Sequence, residues 1–258
     1  MKPKIDEISL FLTEYAANML SVGTYTARVN RCVGRIALAY GYGVSMTAFT
    51  KHFSISVTDL DDSSNFRTYV KNVSHKFVSF RLISDLSALS WQIFDEHVSL
   101  AQARAYFDDI MKISQNNELK MLVLVSIANA AFCRLFGGDL GGVFAVFFAT
   151  LVGFYLKIFM SKKGINLKVQ YIIIAFISSF LAYLGVHFGL SATADITIGS
   201  SVLYLIPGVK LINSIFDILN ENILVGISNG ISTGILMICI AIGVYMTIFI
   251  SNFGILNV

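Results

Sequence analysis

The sequence predicts an integral membrane α-helical bundle of about five transmembrane helices with an N-terminal cytoplasmic α+β domain. Three observations carry that prediction. The 258 residues are 55% hydrophobic and only 14% charged, whereas a soluble domain carries about 25% charged residues. The charges crowd at one end: 24 of the 35 Lys, Arg, Asp and Glu residues lie in residues 1–118, and from residue 169 onward there are only Asp195, Lys210, Asp217 and Glu221. The rest of the chain falls into apolar runs of membrane-spanning character. A cytoplasmic α+β unit, 1–118, is therefore expected to precede a transmembrane unit, 119–258.

In the polar unit, Ile5, Ile8, Leu12, Tyr15, Ala16 and Met19 recur at amphipathic-helix spacing, and Gly23 punctuates the end. A second helix follows from about Tyr25, with Val29, Cys32, Val33 and Ile36 inward and Gly41 and Gly43 beyond it. Arg28, Arg31 and Arg35 share its opposite stripe. A solvated face accounts for such a stripe; the functional alternative is contact with membrane phosphates or with an anionic substrate near a pore mouth. The period then changes to two. Val44, Met46 and Ala48 alternate with polar neighbours, as do Phe53, Ile55 and Val57, and two further strands are expected over 66–70 and 76–82, after the turn-like Asp61-Asp62-Ser63-Ser64. Two helices close the unit, the later one opening with Ser99 and Gln102 at capping-box spacing.

The membrane unit reads as runs over about 120–136, 140–160, 169–190, a fourth from about 196, and a fifth over 223–253. The first run is short unless its polar flanks extend it. It begins far too late for a cleaved signal peptide, which places the N-terminus in the cytoplasm. Lys162, Lys163 and Lys168 then fall on the cytoplasmic side, as the positive-inside rule requires, and five crossings leave the C-terminus outside.

The fourth run is unusual. Its apolar part, 196–206, covers roughly half of a ~30 Å hydrocarbon layer before Pro207-Gly208 interrupts it. Beyond the break, Lys210, Asn213, Ser214, Asp217 and Glu221 form a polar stripe opposite Leu211, Ile212, Ile215, Phe216 and Leu219. If this stretch crosses the membrane, the stripe faces a bundle interior or an aqueous path; if it lies along the cytoplasmic surface, the stripe faces water. Pro207, Gly208, Lys210, Asn213 and Asp217 are the leading substrate or coupling candidates. Asn129, Asp139 and Asp195 are secondary candidates, together with Arg28. Asn129 and Asn229 suit interhelical hydrogen bonds, and Gly226, Gly230 and Gly234 form a small-residue packing face.

Cys32, Cys133 and Cys239 are scattered, the four histidines are dispersed, and no nucleotide loop, nucleophile elbow or paired carboxylate site is present. Neither an enzyme, a cofactor, a metal nor a nucleic-acid partner is expected. A membrane-anchored sensor or scaffold with a cytoplasmic interaction domain is the competing class, but an anchor needs no broken helix with a charged stripe.

Three stretches resemble the threonine/serine exporter family of bacterial inner-membrane proteins. Gly23-Thr24-Tyr25-Thr26-Ala27-Arg28-Val29 is like the family's G-A-x-T-x-R-V run, with Thr24 at the alanine position and Asn30 where an acid usually follows. Leu135-Phe136-Gly137-Gly138-Asp139 and the loop Lys162-Lys163-Gly164-Ile165-Asn166 form the second likeness, with Leu167 where proline often stands. Leu205-Ile206-Pro207-Gly208, followed by Asn213-Ser214 and Asp217, is like V-P-G-x-x-x-x-N-A-x-x-D. The resemblance implies proton-coupled export of threonine, serine or, in split members, a dicarboxylate such as succinate. Fused members have about ten transmembrane helices. A chain with about five resembles the large component of the split form, which implies a small all-membrane partner subunit, a homo-oligomer being the alternative.

Overall fold

The computed structural model describes residues 2–74, 78–113 and 118–252. They divide into two compact units, one of residues 2–113 with 208–231, the other of residues 118–207 with 232–252.

In the first unit, α1 (Ile5–Ser21) and α2 (Thr26–Ala39) lead into β1 (Tyr42–Ala48), β2 (His52–Asp59) and β3 (Phe66–Asn72), followed by α3 (Phe80–Glu96) and α4 (Leu100–Ile113). The strands form an antiparallel sheet in sequence order, with Val44 opposite Val57 and Ile55 opposite Tyr69. The apolar spacing of α1 and α2 and the alternation of β2 have one cause: Ile8, Leu12, Tyr15, Val33, Ile36, Phe53 and Ile55 all bury in a single core. Tyr15 satisfies its hydroxyl there by donating to the Leu86 carbonyl at 2.6 Å.

One expected strand is corrected. Residues 80–82, read as the end of a strand over 76–82, are the first turn of α3, and residues 75–77 lie outside the described residues. Ser79 decides the matter: its hydroxyl accepts the Leu82 N–H at 3.3 Å, an N-cap that fixes the helix start. The start of α4 behaves as its spacing predicts, with Ser99 and Gln102 bonded reciprocally, side chain to backbone.

The second unit contains α5 (Glu118–Leu135), α6 (Leu140–Lys162), α7 (Leu167–His187), α8 (Ala194–Ser200) and a 3-10 turn (Leu203–Leu205). α9 (Gly208–Leu219) belongs to the first unit, and α10 (Ile223–Asn252) begins there and continues into the second. Among the described residues, α6, α7 and α10 are long and apolar enough to cross a membrane; α8 with its 3-10 turn, joined to α9 as one broken span, makes a fourth. Length and composition alone therefore identify three or four spans and leave the expected fifth unconfirmed. The difference is α5, which carries Glu118, Lys120 and Arg134 in 18 residues.

Candidate functional site

Each of the family-like motifs forms a helix terminus. At the start of α2, the N-cap residue Tyr25 provides no side-chain cap. Asp217 of α9 provides one from 191 positions away: its Oδ1 accepts the Thr26 N–H at 2.8 Å, while the Thr26 hydroxyl lies 3.4 Å from Oδ2. A carboxylate at a helix N-terminus satisfies an orphan donor and meets the positive end of the dipole. Asn213, one turn earlier on α9, donates to the Gly23 carbonyl at 2.6 Å. Between these two bonds, Phe216 stacks on Tyr25 with ring centroids 5.3 Å apart. The first and third motifs thus close on one another as a clamp, and Asp217 is left only 2% exposed.

The polar stripe of α9 consequently faces neither water nor an open cavity at its centre. Ser214 donates to the Gly226 carbonyl at 2.6 Å, and Gly226 and Gly230 of α10 allow the approach, since a methyl group at either would press on Ser214. Gly234 meets nothing within 4 Å. Lys210 and Glu221, at the two ends of the stripe, are exposed. Pro207 and Gly208 form the break, and Gly208 opens α9.

The second motif organises the other unit. Gly137 takes φ +92° where α5 ends, a left-handed turn that glycine adopts at little cost. Asp139 then caps α6 by accepting the Gly142 N–H at 2.7 Å. The same carboxylate accepts the Ala192 N–H at 2.8 Å, the Ser191 hydroxyl at 2.7 Å and the Thr193 hydroxyl at 3.2 Å. The Ala192 N–H first, then the Ser191 hydroxyl and the Gly142 N–H, hold its carboxyl down to about 2. Asp139 staples the α5–α6 turn to the α7–α8 loop. Asn166 in the basic loop likewise caps α7, accepting the Lys168 N–H at 2.9 Å.

A buried polar seam runs through the interior of this unit. Asn129 Nδ2 donates to Thr150 Oγ1 at 2.7 Å and to the Ser200 carbonyl at 3.0 Å. It thereby takes up a carbonyl of the last turn of α8, seven residues before the proline. One turn along, the Ser178 and Tyr204 hydroxyls pair at 2.8 Å across a gap that exists only because residue 153 is glycine; a methyl group there would overlap both hydroxyls. Asp195 stands apart on the exposed side of α8, lining a shallow cavity of about 400 Å³ with Phe136, Ile196, Gly199, Ser200 and Leu203.

The structure therefore joins Asn213 and Asp217 to the start of α2, joins Asn129 to α6 and α8, and leaves Lys210 and Asp195 on surfaces. Thr150, Ser178, Ser200 and Tyr204 were missed in the sequence. Hydroxyl residues at helical spacing in apolar runs are their only signal, and it is weak. Lys157 was missed too. It is the lone cation inside the 140–160 run, with its ammonium 5.3 Å from the Tyr171 ring centroid and 5.8 Å from that of Phe154.

A helix broken at a proline, amid buried hydrogen-bonding groups in an apolar bundle, is the architecture of a membrane transport protein. The chain belongs to the threonine/serine exporter family: residues 10–251 match the family described as "Putative threonine/serine exporter". It is 25% identical over 237 residues to the "Probable succinate transporter subunit YjjP" of Klebsiella aerogenes, covering 90% of this chain and 89% of that one. It is 22% identical over 247 residues to the protein of the same name from Escherichia coli K12, covering 95% and 92%. No solved structure matches.

Proposed function

We propose that this chain is one subunit of a proton-coupled secondary transporter that exports a small polar metabolite across the bacterial inner membrane. The observation that carries this reading is the broken helix, bordered by the Asn129–Thr150–Ser200 seam. A dicarboxylate such as succinate comes first among substrates because both relatives are named as succinate transporter subunits; threonine and serine follow from the family. The word subunit in those names favours a small all-membrane partner over a homo-oligomer.

The candidate residues divide the work. Pro207 and Gly208 supply the flexure, Lys210 attracts the substrate carboxylate, and the seam offers it neutral donors and acceptors. Asp217 couples the proton: protonation removes the charge facing the α2 dipole and weakens the acceptor to Thr26, which loosens α9. Asn213 guides α9 back. Asp139 and Asp195 lie at the outer rim.

The topology we propose has five crossings, with the N-terminus cytoplasmic and the C-terminus outside. The ion pair of Lys162 with Glu118 at 2.6 Å sets the start of α5 level with the end of α6. With Asn129 meeting Thr150 midway, α5 runs antiparallel to α6 along its length, so α5 crosses wherever α6 does.

The test is efflux of labelled succinate, threonine and serine from proteoliposomes under an imposed pH gradient, with and without the partner subunit, for wild type and Asp217→Asn. Asparagine keeps one oxygen to accept the Thr26 N–H but carries no charge at any pH, so the variant holds the clamp in its neutral state and removes the titration. Gradient-driven efflux that collapses in the variant is expected. Efflux unchanged in the variant removes Asp217 from coupling, and no efflux of any substrate with the partner present favours the sensor or scaffold class.

A further inference from the structure

Three arginines on α2 are not used by the transport reading. Arg28, Arg31 and Arg35 have no carboxylate within ion-pair distance among the described residues, although other cations of the same unit are neutralised, Arg67 by Asp6, Arg104 by Glu14 and Arg81 by Asp85. Neutral groups hold them instead. Arg28 donates to the Ser87 hydroxyl at 3.1 Å, Arg31 to the Tyr25 hydroxyl at 2.7 Å and Arg35 to the Ser90 hydroxyl at 2.5 Å. Arg35 also lies 3.5 Å from the ring centroid of Trp91, itself 52% exposed. A guanidinium carries five N–H donors, and each of these has one directed at a side-chain hydroxyl. The stripe is fixed in place and left short of acceptors and of negative charge.

Its surroundings say which anion fits. Tyr25, which holds Arg31, stacks on Phe216. Phe216 belongs to an uncovered apolar face of α9 with Ile212, Ile215 and Leu219, the last 72% exposed. One ring contact and one hydrogen bond therefore separate an exposed apolar face from the Arg31 guanidinium, with tyrosine between them. This sequence of apolar, aromatic and cationic groups is that of a membrane–water interface.

We infer that Arg28, Arg31 and Arg35 bind the headgroup phosphates of anionic phospholipid, and that this contact seats the α2–α9 clamp on the bilayer surface. Arginine suits phosphate through bidentate bonding. Each basic residue near an anionic surface is worth about a fivefold change in binding, so the three together are worth about a hundredfold. Resting on the proposed function, the contact supplies what a protonation-sensitive clamp requires, a fixed footing for α2.

Trp91 is the only tryptophan in the chain, so the emission of the full-length protein reports directly on this stripe. The experiment titrates short-chain phosphatidylglycerol, or phosphatidylcholine of equal chain length, into the detergent-solubilised protein, with bound lipid counted in parallel by native mass spectrometry. Saturable phosphatidylglycerol binding that shifts Trp91 emission, with no shift from phosphatidylcholine, is expected. In Arg28→Gln/Arg31→Gln/Arg35→Gln the lipid affinity falls about a hundredfold by mass spectrometry, and in Arg31→Gln, the exposed arginine of the three, about fivefold with an unchanged melting temperature. Equal responses to both lipids overturn the inference, as does unchanged phosphatidylglycerol binding in the triple variant. Inorganic phosphate that saturates the emission change and abolishes the lipid response assigns the stripe to a free anion and overturns it too.

Discussion

The two units of this chain solve packing in opposite ways. The first is built on large side chains: Phe11, Tyr15, Met19, Ile36 and Phe53 are fully buried in its core, and its charges, the buried Asp217 apart, lie outside that core. The second hides small and hydroxyl-bearing residues, among them Gly142, Thr150, Gly153, Ser178, Ser179 and Gly185, and turns Phe144, Phe148 and Tyr155 outward. Water drives apolar groups together in the first unit. Lipid provides no such drive, so the second unit relies on close backbone approach and on hydrogen bonds between helices.

That contrast can be broken most sharply at Gly141. A methyl group there would overlap the Leu190 carbonyl, whereas one at Gly199 meets nothing within 4 Å. Gly141→Ala should cost about 3 kcal/mol, and Gly199→Ala should be neutral or slightly stabilising, in unfolding of the detergent-solubilised protein. Equal effects would mean that close packing does not hold the bundle.

Ile36 and Ile174 are both fully buried, one in each unit. Ile36→Ala should cost about 3 kcal/mol through transfer and cavity terms together, and Ile174→Ala about half of that, because only the cavity term survives in lipid. Hydrogen exchange resolved by segment separates the two effects.

Asp217 sharpens the comparison from the other side, since its bonds lie wholly within the first unit. Asp217→Ala removes the α2 cap and should cost about 1.5 kcal/mol, whereas Asp217→Asn keeps an acceptor, loses only the charge facing the dipole and should cost less, about 0.5–1 kcal/mol. The smallest effect is expected at the surface. The Glu14–Arg104 pair, 2.8 Å apart and well exposed, should show a coupling of about 0.5 kcal/mol in a double-mutant cycle and lose it in high salt.

Asp139 gives a test by pH. Its carboxyl is held down to about 2, below the ordinary carboxylate value of about 3.9. A depressed value contributes stability that is complete above the unfolded-state value and vanishes as pH falls through the folded one. The difference in melting temperature between wild type and Asp139→Asn should therefore hold constant from neutral pH to about 5 and shrink between about pH 4 and 2.

Local pattern made much of this legible. The faces of α1 and α2, the alternation in β2 and the capping box of α4 could be read because burial imposes its period on neighbouring residues. The start of α3 was misread because Lys76–Leu82 alternates as a strand does, while one hydroxyl at Ser79 tips the backbone into a helix. The clamp was half legible. Its residues stood out as motifs, yet no local signal pairs Asp217 with Thr26 across 191 positions. The seam was hardly legible at all, because serine and threonine inside an apolar helix look alike whether they bond within their own turn, as Ser126 does to Leu122, or between helices.

The clamp also has a consequence for synthesis. At roughly 5–20 residues per second, the ribosome needs on the order of 10–40 s to make the 191 positions between Thr26 and Asp217. For that interval α2 emerges with its first turn uncapped, and the piece that finishes the polar unit arrives only after most of the membrane segments. The first part of the chain to be translated is thus completed by one of the last, so the polar unit cannot reach its final packing until most of the membrane segments have been made.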